Sequence, residues 1–350
     1  MIFASRRETP VREPAVFKSL FVAAVATVAA VCLLVLPSVA AAAPPIVPVE
    51  QSPAEVRAYW TPDRIEEAVG NGAPVEDVGP LEVLRAPISR LGIAHAVDAY
   101  RYRKAIRNIK RKEFKARKVS NPKSGALKAH GLVVFKIGSK NYGCSGTVVQ
   151  APSRSLVWTA AHCMSDATRS SNKYANNWAF VPAYKNGNMP YGVWPAVGLG
   201  AHQGWFKSKG NFGRRGSQFD FGVALLAPQS GQRIQDVVGA RRIRFNGKRR
   251  QKFKIYGYPA SSTIAKFDGE MPFFCKSKWL QNAPGGFNPK QIEVPCELTT
   301  GASGGGWVGK QGRIYAVSSY EVYTWPPVIG GAYLGPQARK FYNRVADIEP

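Results

Sequence analysis

The stretch TTGASGGGW, residues 299–307, sets Ser303 among Gly301, Gly304, Gly305 and Gly306. Glycine reaches backbone conformations that a β-carbon forbids and lets another chain or a ligand approach closely. A serine held in such a loop, with backbone N–H groups turned toward its oxygen, has the makings of a nucleophile beside an oxyanion site. The same composition also suits a plain glycine-rich surface turn. What separates the two is whether the chain supplies a base.

A serine nucleophile needs a general base within hydrogen-bond reach, most often histidine. The chain has four: His95, His130, His162 and His202. His162 follows a strongly apolar run in VWTAAHCM and precedes Cys163, whose disulfide would fix the imidazole's backbone. His95 falls in the N-terminal region, His130 at a boundary, and His202 sits in GLGAHQGW without comparable anchoring. The base in turn needs a carboxylate to hold its tautomer. Between His162 and Ser303 the acids are Asp166, Asp220, Asp236, Asp268, Glu270, Glu293 and Glu297. Asp166 is too near the histidine in sequence to belong to an independent wall. Asp220 heads FDFGVALLA, so its carboxylate would sit at the mouth of a buried strand, where a charge is costly unless paired. A histidine N–H would pair it; the plainer role for Asp220 is a turn cap.

The elements that must position these groups change character along the chain. Residues 44–59 are rich in proline and alanine and read as a linker. YWTPDRIEEAVGNG predicts a helix with Thr61 as N-cap, Pro62 in the first turn and Gly70 at its end. A second helical stretch is expected over 93–118, its RYRKAIRNIKRKEFKARK half a solvated basic face or a protease-accessible processing region. SNPKSG, 120–125, marks a boundary. Beyond it GLVVFKIG, YGCSGTVVQ, SLVWTAAH, WAFVPAY, FDFGVALLA, FKIYGYPA, QIEVPCEL and RIYAVSSY are short β-branched or aromatic runs parted by turn residues. Such punctuation predicts an all-β sandwich or barrel, here two small barrels. PQARKFYNRVADI spaces Phe341 and Val345 as a C-terminal helix does.

The N-terminus reads as an export signal. Arg6, Arg7, Arg12 and Lys18 precede an apolar run from Leu20 to Leu36, then PSVAAAAPP offers small residues for cleavage after Ala40, Ala42 or Ala43. Residues 1–43 are therefore expected to be a signal peptide, with an uncleaved membrane anchor through 20–36 as the less favoured reading. Cys32 would leave with it. Cys144, Cys163, Cys275 and Cys296 remain, an even number that in an exported chain reads as disulfides with three possible connectivities. Neighbours in sequence are expected to pair, Cys144 with Cys163 and Cys275 with Cys296, each closing a loop of roughly twenty residues and contributing about 3 kcal/mol. No C-x-x-C pair supports zinc or redox chemistry, and no motif implies a metal or an organic cofactor.

The formal charge is +26, with 29 of the 48 basic residues but only 10 of the 22 acids after residue 125. Such a field would hold the protein near anionic polymers or lipid. No basic helix, zinc-finger spacing or aromatic RNA-binding pattern accompanies it, so a specific nucleic-acid partner is not expected.

SGTVV, WTAAHC, DFGVALL and TTGASGGGW, in that order, resemble the trypsin-like serine peptidases of the chymotrypsin fold, in particular the secreted bacterial branch that includes glutamyl endopeptidases. The resemblance covers roughly residues 126–350, and WTPDR looks like part of the pro-regions of such proteins. It implies an all-β fold of two six-stranded antiparallel barrels with a C-terminal helix, residues 126–350. A partly helical, basic pro-region would precede it at 44–125. It implies a secreted, cofactor-free, monomeric endopeptidase acting on protein or peptide through His162, Asp220 and Ser303. Gly301 and Ser303 N–H groups would form the oxyanion hole, and Thr299, Ser318, Ser319, Tyr320 and Gly331 would meet the substrate. A catalytically silent basic binding protein on the same scaffold is the alternative.

Three departures qualify the resemblance. Ala302 stands where animal trypsin-like enzymes carry the aspartate that pairs with a freshly cut N-terminus. Gly306 replaces a proline, and the histidine that glutamyl endopeptidases use is missing from AVSSYEVY. Glu297, six residues before Ser303, holds the offset of a pocket-base acid, but the spacing to Cys296 favours a solvent-facing side chain.

Overall fold

The structure is a computed structural model and describes residues 45–73, 100, 104–167, 173–210, 216–283, 290–322 and 324–350. The leader at 1–43, His95 and the first part of the expected 93–118 helix lie outside them. Among the described residues no helix is long and apolar enough to cross a membrane.

The strands in chain order are β1 (Val47–Pro48), β2 (Arg117–Lys118), β3 (His130–Ile137), β4 (Lys140–Val148), β5 (Leu156–Thr159), β6 (Ser165–Asp166), β7 (Lys173–Tyr174), β8 (Asn176–Pro182) and β9 (Trp194–Ala201). They continue as β10 (Gly222–Leu226), β11 (Lys252–Gly257), β12 (Phe273–Lys278), β13 (Gln281–Asn282), β14 (Ile292–Pro295), β15 (Gly306–Val308), β16 (Ile314–Val322) and β17 (Val328–Tyr333). One antiparallel sheet runs β1-β9-β10-β5-β4-β3-β8, and a further β8–β9 pairing closes six of its strands into a barrel. The second runs β13-β14-β17-β16-β15-β11-β12-β2. This is the chymotrypsin-like architecture, and it departs from the expected pair of six-stranded barrels at the sheet edges, where the first sheet gains β1. The second sheet gains β13 and β2 at its ends, and its closure is covalent: Cys275 on β12 is bonded to Cys296 just beyond β14, with Cα atoms 5.8 Å apart.

Alternation along β3 explains a second difference. Val133 and Phe135 point into the barrel with Val157 and Phe180, whereas Leu132 and Val134 face outward. The outward apolar pair needs cover, and the N-terminal segment supplies it. Helices α1 (Pro53–Tyr59) and α2 (Pro62–Gly70) bury Val56, Trp60, Ile65, Ala68 and Val69 against Leu132, Val134, Ala179 and Val181. The α2 boundaries and Thr61 cap agree with the sequence reading. The segment 44–59, read as a linker, instead holds β1 and α1, the latter started by a Ser52–Glu55 capping box. Within the 93–118 stretch, α-helical backbone among the described residues ends by Arg107, a single 3-10 turn follows at Arg111–Glu113, and Arg117–Lys118 pair with Phe274 and Phe273 as strand β2.

Helix α3 (Pro336–Val345) is the C-terminal helix expected from the spacing. Its Ala338, Phe341 and Val345 pack on Trp158, Phe221 and Val223. The rings of Trp158 and Phe341 meet edge-on at 6.0 Å. Trp158 lies four residues before His162, and Phe221 adjoins Asp220, so this helix stiffens both strands that end at the site.

Candidate active site

His162 lies in a short turn, Ala161–Cys163, directly after β5. Several bonds pin that turn. The Cys144–Cys163 disulfide ties it to β4, the Trp178 indole N–H donates to the Cys163 carbonyl at 2.9 Å, and Ser165 Oγ donates to the Ala161 carbonyl at 3.0 Å. Trp205 donates to that same Ser165 hydroxyl at 3.1 Å, its ring 6.4 Å from the His162 imidazole. A ring nitrogen of His162 lies within 4.8 Å of both cysteine sulfurs, which are spent in their own bond.

Asp220 is completely buried two residues before β10. A carboxylate there costs several kcal/mol unless its oxygens are satisfied. Oδ1 accepts from the His162 backbone N–H at 3.0 Å, while Oδ2 accepts from His162 Nδ1–H at 2.8 Å and from Ser319 Oγ at 2.6 Å. With Nδ1 donating, the lone pair of the neutral imidazole is on Nε2. The structure therefore gives His162 a basic nitrogen of fixed tautomer.

The other described histidines are spent elsewhere. His202 caps the short helix Gln203–Lys207, its Nδ1 accepting from Gly204 N–H at 3.0 Å, and stacks on Phe219 at 4.6 Å. Burial, then Arg344 and Lys207, push its pKa down to about 4. His130 bonds Thr147 through Nδ1 and accepts from Arg241 through Nε2. Burial, followed by the Arg241 charge, holds it well below the usual histidine range.

Ser303 lies in a loop whose shape depends on glycine at two positions. Gly301 has φ 86°, and a β-carbon there would fall 2.4 Å from the Tyr258 carbonyl oxygen. Gly304 has φ 78°, and a β-carbon would fall 2.0 Å from Thr159 Oγ1. One residue of the first barrel grips this loop. Ser145 donates its backbone N–H to the Ser303 carbonyl at 2.7 Å and its hydroxyl to the Gly301 carbonyl at 2.8 Å. The same hydroxyl accepts from Tyr258 N–H at 2.9 Å. Ser145 adjoins Cys144, so the Ser303 loop and the His162 turn hang on neighbouring residues of β4. Nothing in SGTVV marks this serine out, because its partners are far away in sequence.

Thr299, Ser318, Ser319 and Tyr320 line one pocket with Ser303. Gly331 is not among its walls. It pairs with Ile292 and Ser318 in the sheet, and a β-carbon on it would meet the buried Trp307 ring at 2.8 Å. Ile329 takes the pocket position instead. Glu297 is neither a pocket base nor solvent-facing: it accepts from Ala116 N–H at 2.8 Å and pairs with Lys266. Sequence reasoning missed Glu321, which lines the pocket and accepts from Thr300 Oγ1 at 3.4 Å. Both expected disulfides are present.

A histidine braced by a buried aspartate, next to a glycine-shaped serine loop between a closed barrel and a second β-sheet, belongs to one class of protein. The chain is a member of the trypsin-like serine peptidases of the chymotrypsin fold. It is similar to the protease Anisep from Arthrobacter nicotinovorans, at 34% identity over 67% of this chain and 100% of that one, with a TM-score of 0.58. It is also similar to the thermostable serine protease AL20 from an extremophilic microorganism, at 31% identity over 63% of this chain and 99% of that one, TM-score 0.56. A Glu endopeptidase shares the fold at 19% identity, over 67% of this chain and 98% of that one, TM-score 0.54. No family model and no curated protein sequence matches the chain.

Replacing Ser145 by alanine removes a partner from the Gly301 carbonyl and from Tyr258 N–H, both buried. A loss of about 1–3 kcal/mol in unfolding free energy is expected. Urea denaturation of the variant beside the parent measures it, and an unchanged midpoint would show that the clamp is not holding.

Proposed function

We propose that this protein is an exported serine endopeptidase made as a proprotein, with His162, Asp220 and Ser303 as its triad. The observation that carries the reading is the bonded chain Ser319–Asp220–His162 reaching the pocket that Ser303 lines. Ser303 Oγ attacks a peptide carbonyl while His162 Nε2 accepts its proton. The N–H groups of Gly301 and Ser303 donate to the developing oxyanion, where loss of one donor typically costs about 3 kcal/mol. His162 then returns the proton to the leaving amine, and water repeats the sequence on the acyl-enzyme. Asp220 keeps the imidazole in the tautomer that can accept. Two disulfides suit an oxidising compartment and support export.

A serine-directed fluorophosphonate should label the protein, and Ser303→Ala should abolish labelling with the fold retained. Asp220→Asn should lower kcat about 10⁴-fold, the penalty for presenting the wrong tautomer. Equal labelling of the alanine variant would assign the nucleophile elsewhere.

The proprotein part rests on where the N-terminal segment ends. Beyond α2, Asn71–Ala73 runs beside Gly143, whose N–H donates to the Asn71 carbonyl at 2.9 Å and whose carbonyl accepts from Ala73 N–H at 3.1 Å. Gly72 between them lies against the oxyanion loop: a β-carbon on it would be 2.1 Å from Thr300 Cγ2 and 2.9 Å from Gly301 N. The segment thus covers ground that a substrate must cross, and its removal uncovers the cleft. Gly72→Val should lift it, so the full-length variant should react with the fluorophosphonate several-fold faster than the parent. An unaltered rate would mean that the segment does not obstruct the site.

A second reading, a hold on anionic polymers, is favoured by one feature of the second sheet. Lys252 faces Lys278, and Lys254 faces Lys276, directly across β11 and β12. All four are exposed, and none is in an ion pair among the described residues. Like charges directly opposite destabilise a sheet, and a polyanion would relieve them. Changing the four to glutamine should lower the salt needed to elute the protein from a polyphosphate resin. Elution at the same salt would place the binding surface elsewhere.

A further inference from the structure

The pocket beside Ser303 carries information about substrate choice that the nucleophile and base do not. Leu298 and Ile329 give it apolar wall, and Thr299 adds a hydroxyl that is engaged with the Ala260 carbonyl at 2.8 Å. Among the described residues that line it, Glu321 carries the charge. Glu321 stands on β16 directly opposite Ile329 of β17, so its side chain shares that residue's face of the sheet. Its Oε1 accepts from Thr300 Oγ1 at 3.4 Å, which draws the carboxylate toward the residue next to Gly301. The acid at the usual pocket-base offset, Glu297, is committed to Lys266 and Ala116 N–H and contributes no charge to this space.

We infer that Glu321 is the specificity-determining residue of this site, selecting an arginine or lysine side chain on the acyl side of the bond that is cut. The inference rests on the serine-peptidase reading above. A side chain entering beside Ser303 lays its methylene stem on Leu298 and Ile329 and brings its cationic head to the Glu321 carboxylate. An acidic side chain meets a like charge in a partly enclosed space, where repulsion is poorly screened. A small apolar side chain binds without gain from the carboxylate. Glutamate-directed cleavage is the outcome this pocket disfavours most.

The test uses the full-length chain carrying Gly72→Val, in which the N-terminal segment is lifted from the oxyanion loop, as the parent, with reactive serines counted by fluorophosphonate titration so that every rate is per active site. Peptide p-nitroanilides identical except for arginine, lysine, alanine or glutamate at the residue before the bond are compared. Arginine and lysine should exceed alanine in kcat/KM, with glutamate last, and the two cationic substrates separate a guanidinium from an ammonium preference. Glu321→Gln should lower the arginine-to-alanine ratio by about tenfold or more, the scale set by losing a charge-assisted partner. Benzamidine, an aryl amidinium, should protect the parent from labelling at lower concentration than the variant. A parent that prefers alanine or glutamate, or a substitution that lowers all four substrates equally, would overturn the inference. Absence of any titratable serine would instead sink the peptidase reading and this inference with it.

Discussion

The buried carboxylate of Asp220 is the constraint around which the molecule is organised. It has no exposure to solvent, and it is held by an imidazole and a backbone N–H from the turn after β5 and by a hydroxyl from β16. The turn belongs to the closed barrel and the hydroxyl to the second sheet. A charge so placed is tolerable only when all these donors arrive together, because each unmatched partner leaves a desolvated anion behind. Correct mutual placement of the two sheets and correct orientation of His162 are therefore one requirement. A donor from each half makes the carboxylate a gauge of their alignment.

The surrounding packing reads as support for that gauge. Trp178 and Trp205 fix the His162 turn through hydrogen bonds, and α3 presses Phe341 onto the residues that flank both ends of the pair. On the other side Ser145 holds the carbonyls of Gly301 and Ser303, so the loop with left-handed glycines cannot relax toward the conformations that free glycine prefers. Conformational freedom in the sequence of that loop becomes a fixed shape in the fold. That shape is held by one backbone and one side-chain hydrogen bond from Ser145 of the closed barrel.

The N-terminal segment connects stability to access. Its helices complete the outer face of β3, where Leu132 and Val134 would otherwise be bare, and the same continuous chain then reaches the oxyanion loop at Gly72. The approach of Gly72 to Thr300 and Gly301 thus comes with the burial of apolar surface by the same segment. Glu321 lines the pocket with Ser303, and the lysine pairs lie across β11 and β12, so the covering segment, the pocket acid and the exposed basic pairs belong to different elements of one scaffold.

The sequence by itself determined whatever depends on neighbours along the chain. The α2 cap, the C-terminal helix and the short strands follow from local pattern, and the two disulfides joined cysteines close in sequence. His162 and Asp220 could be paired in advance because a buried acid needs a donor and few acids were available. Helix α1 had a local signature, Ser52 to Glu55, masked by proline-rich composition; what makes it a helix worth keeping is burial of Val56 on a distant strand. Only the tertiary structure decided the rest. Ser145, Ser319 and Glu321 acquire their partners across separations that no local pattern encodes, Glu297 is claimed by Lys266, and Gly331 lies against Trp307 because the register of β17 on β16 sets it opposite Ser318, whose hydroxyl accepts from the Trp307 indole. Pairing register and long-range hydrogen bonds are settled by the burial energy of the whole fold, and that sum is not written in any single stretch of residues.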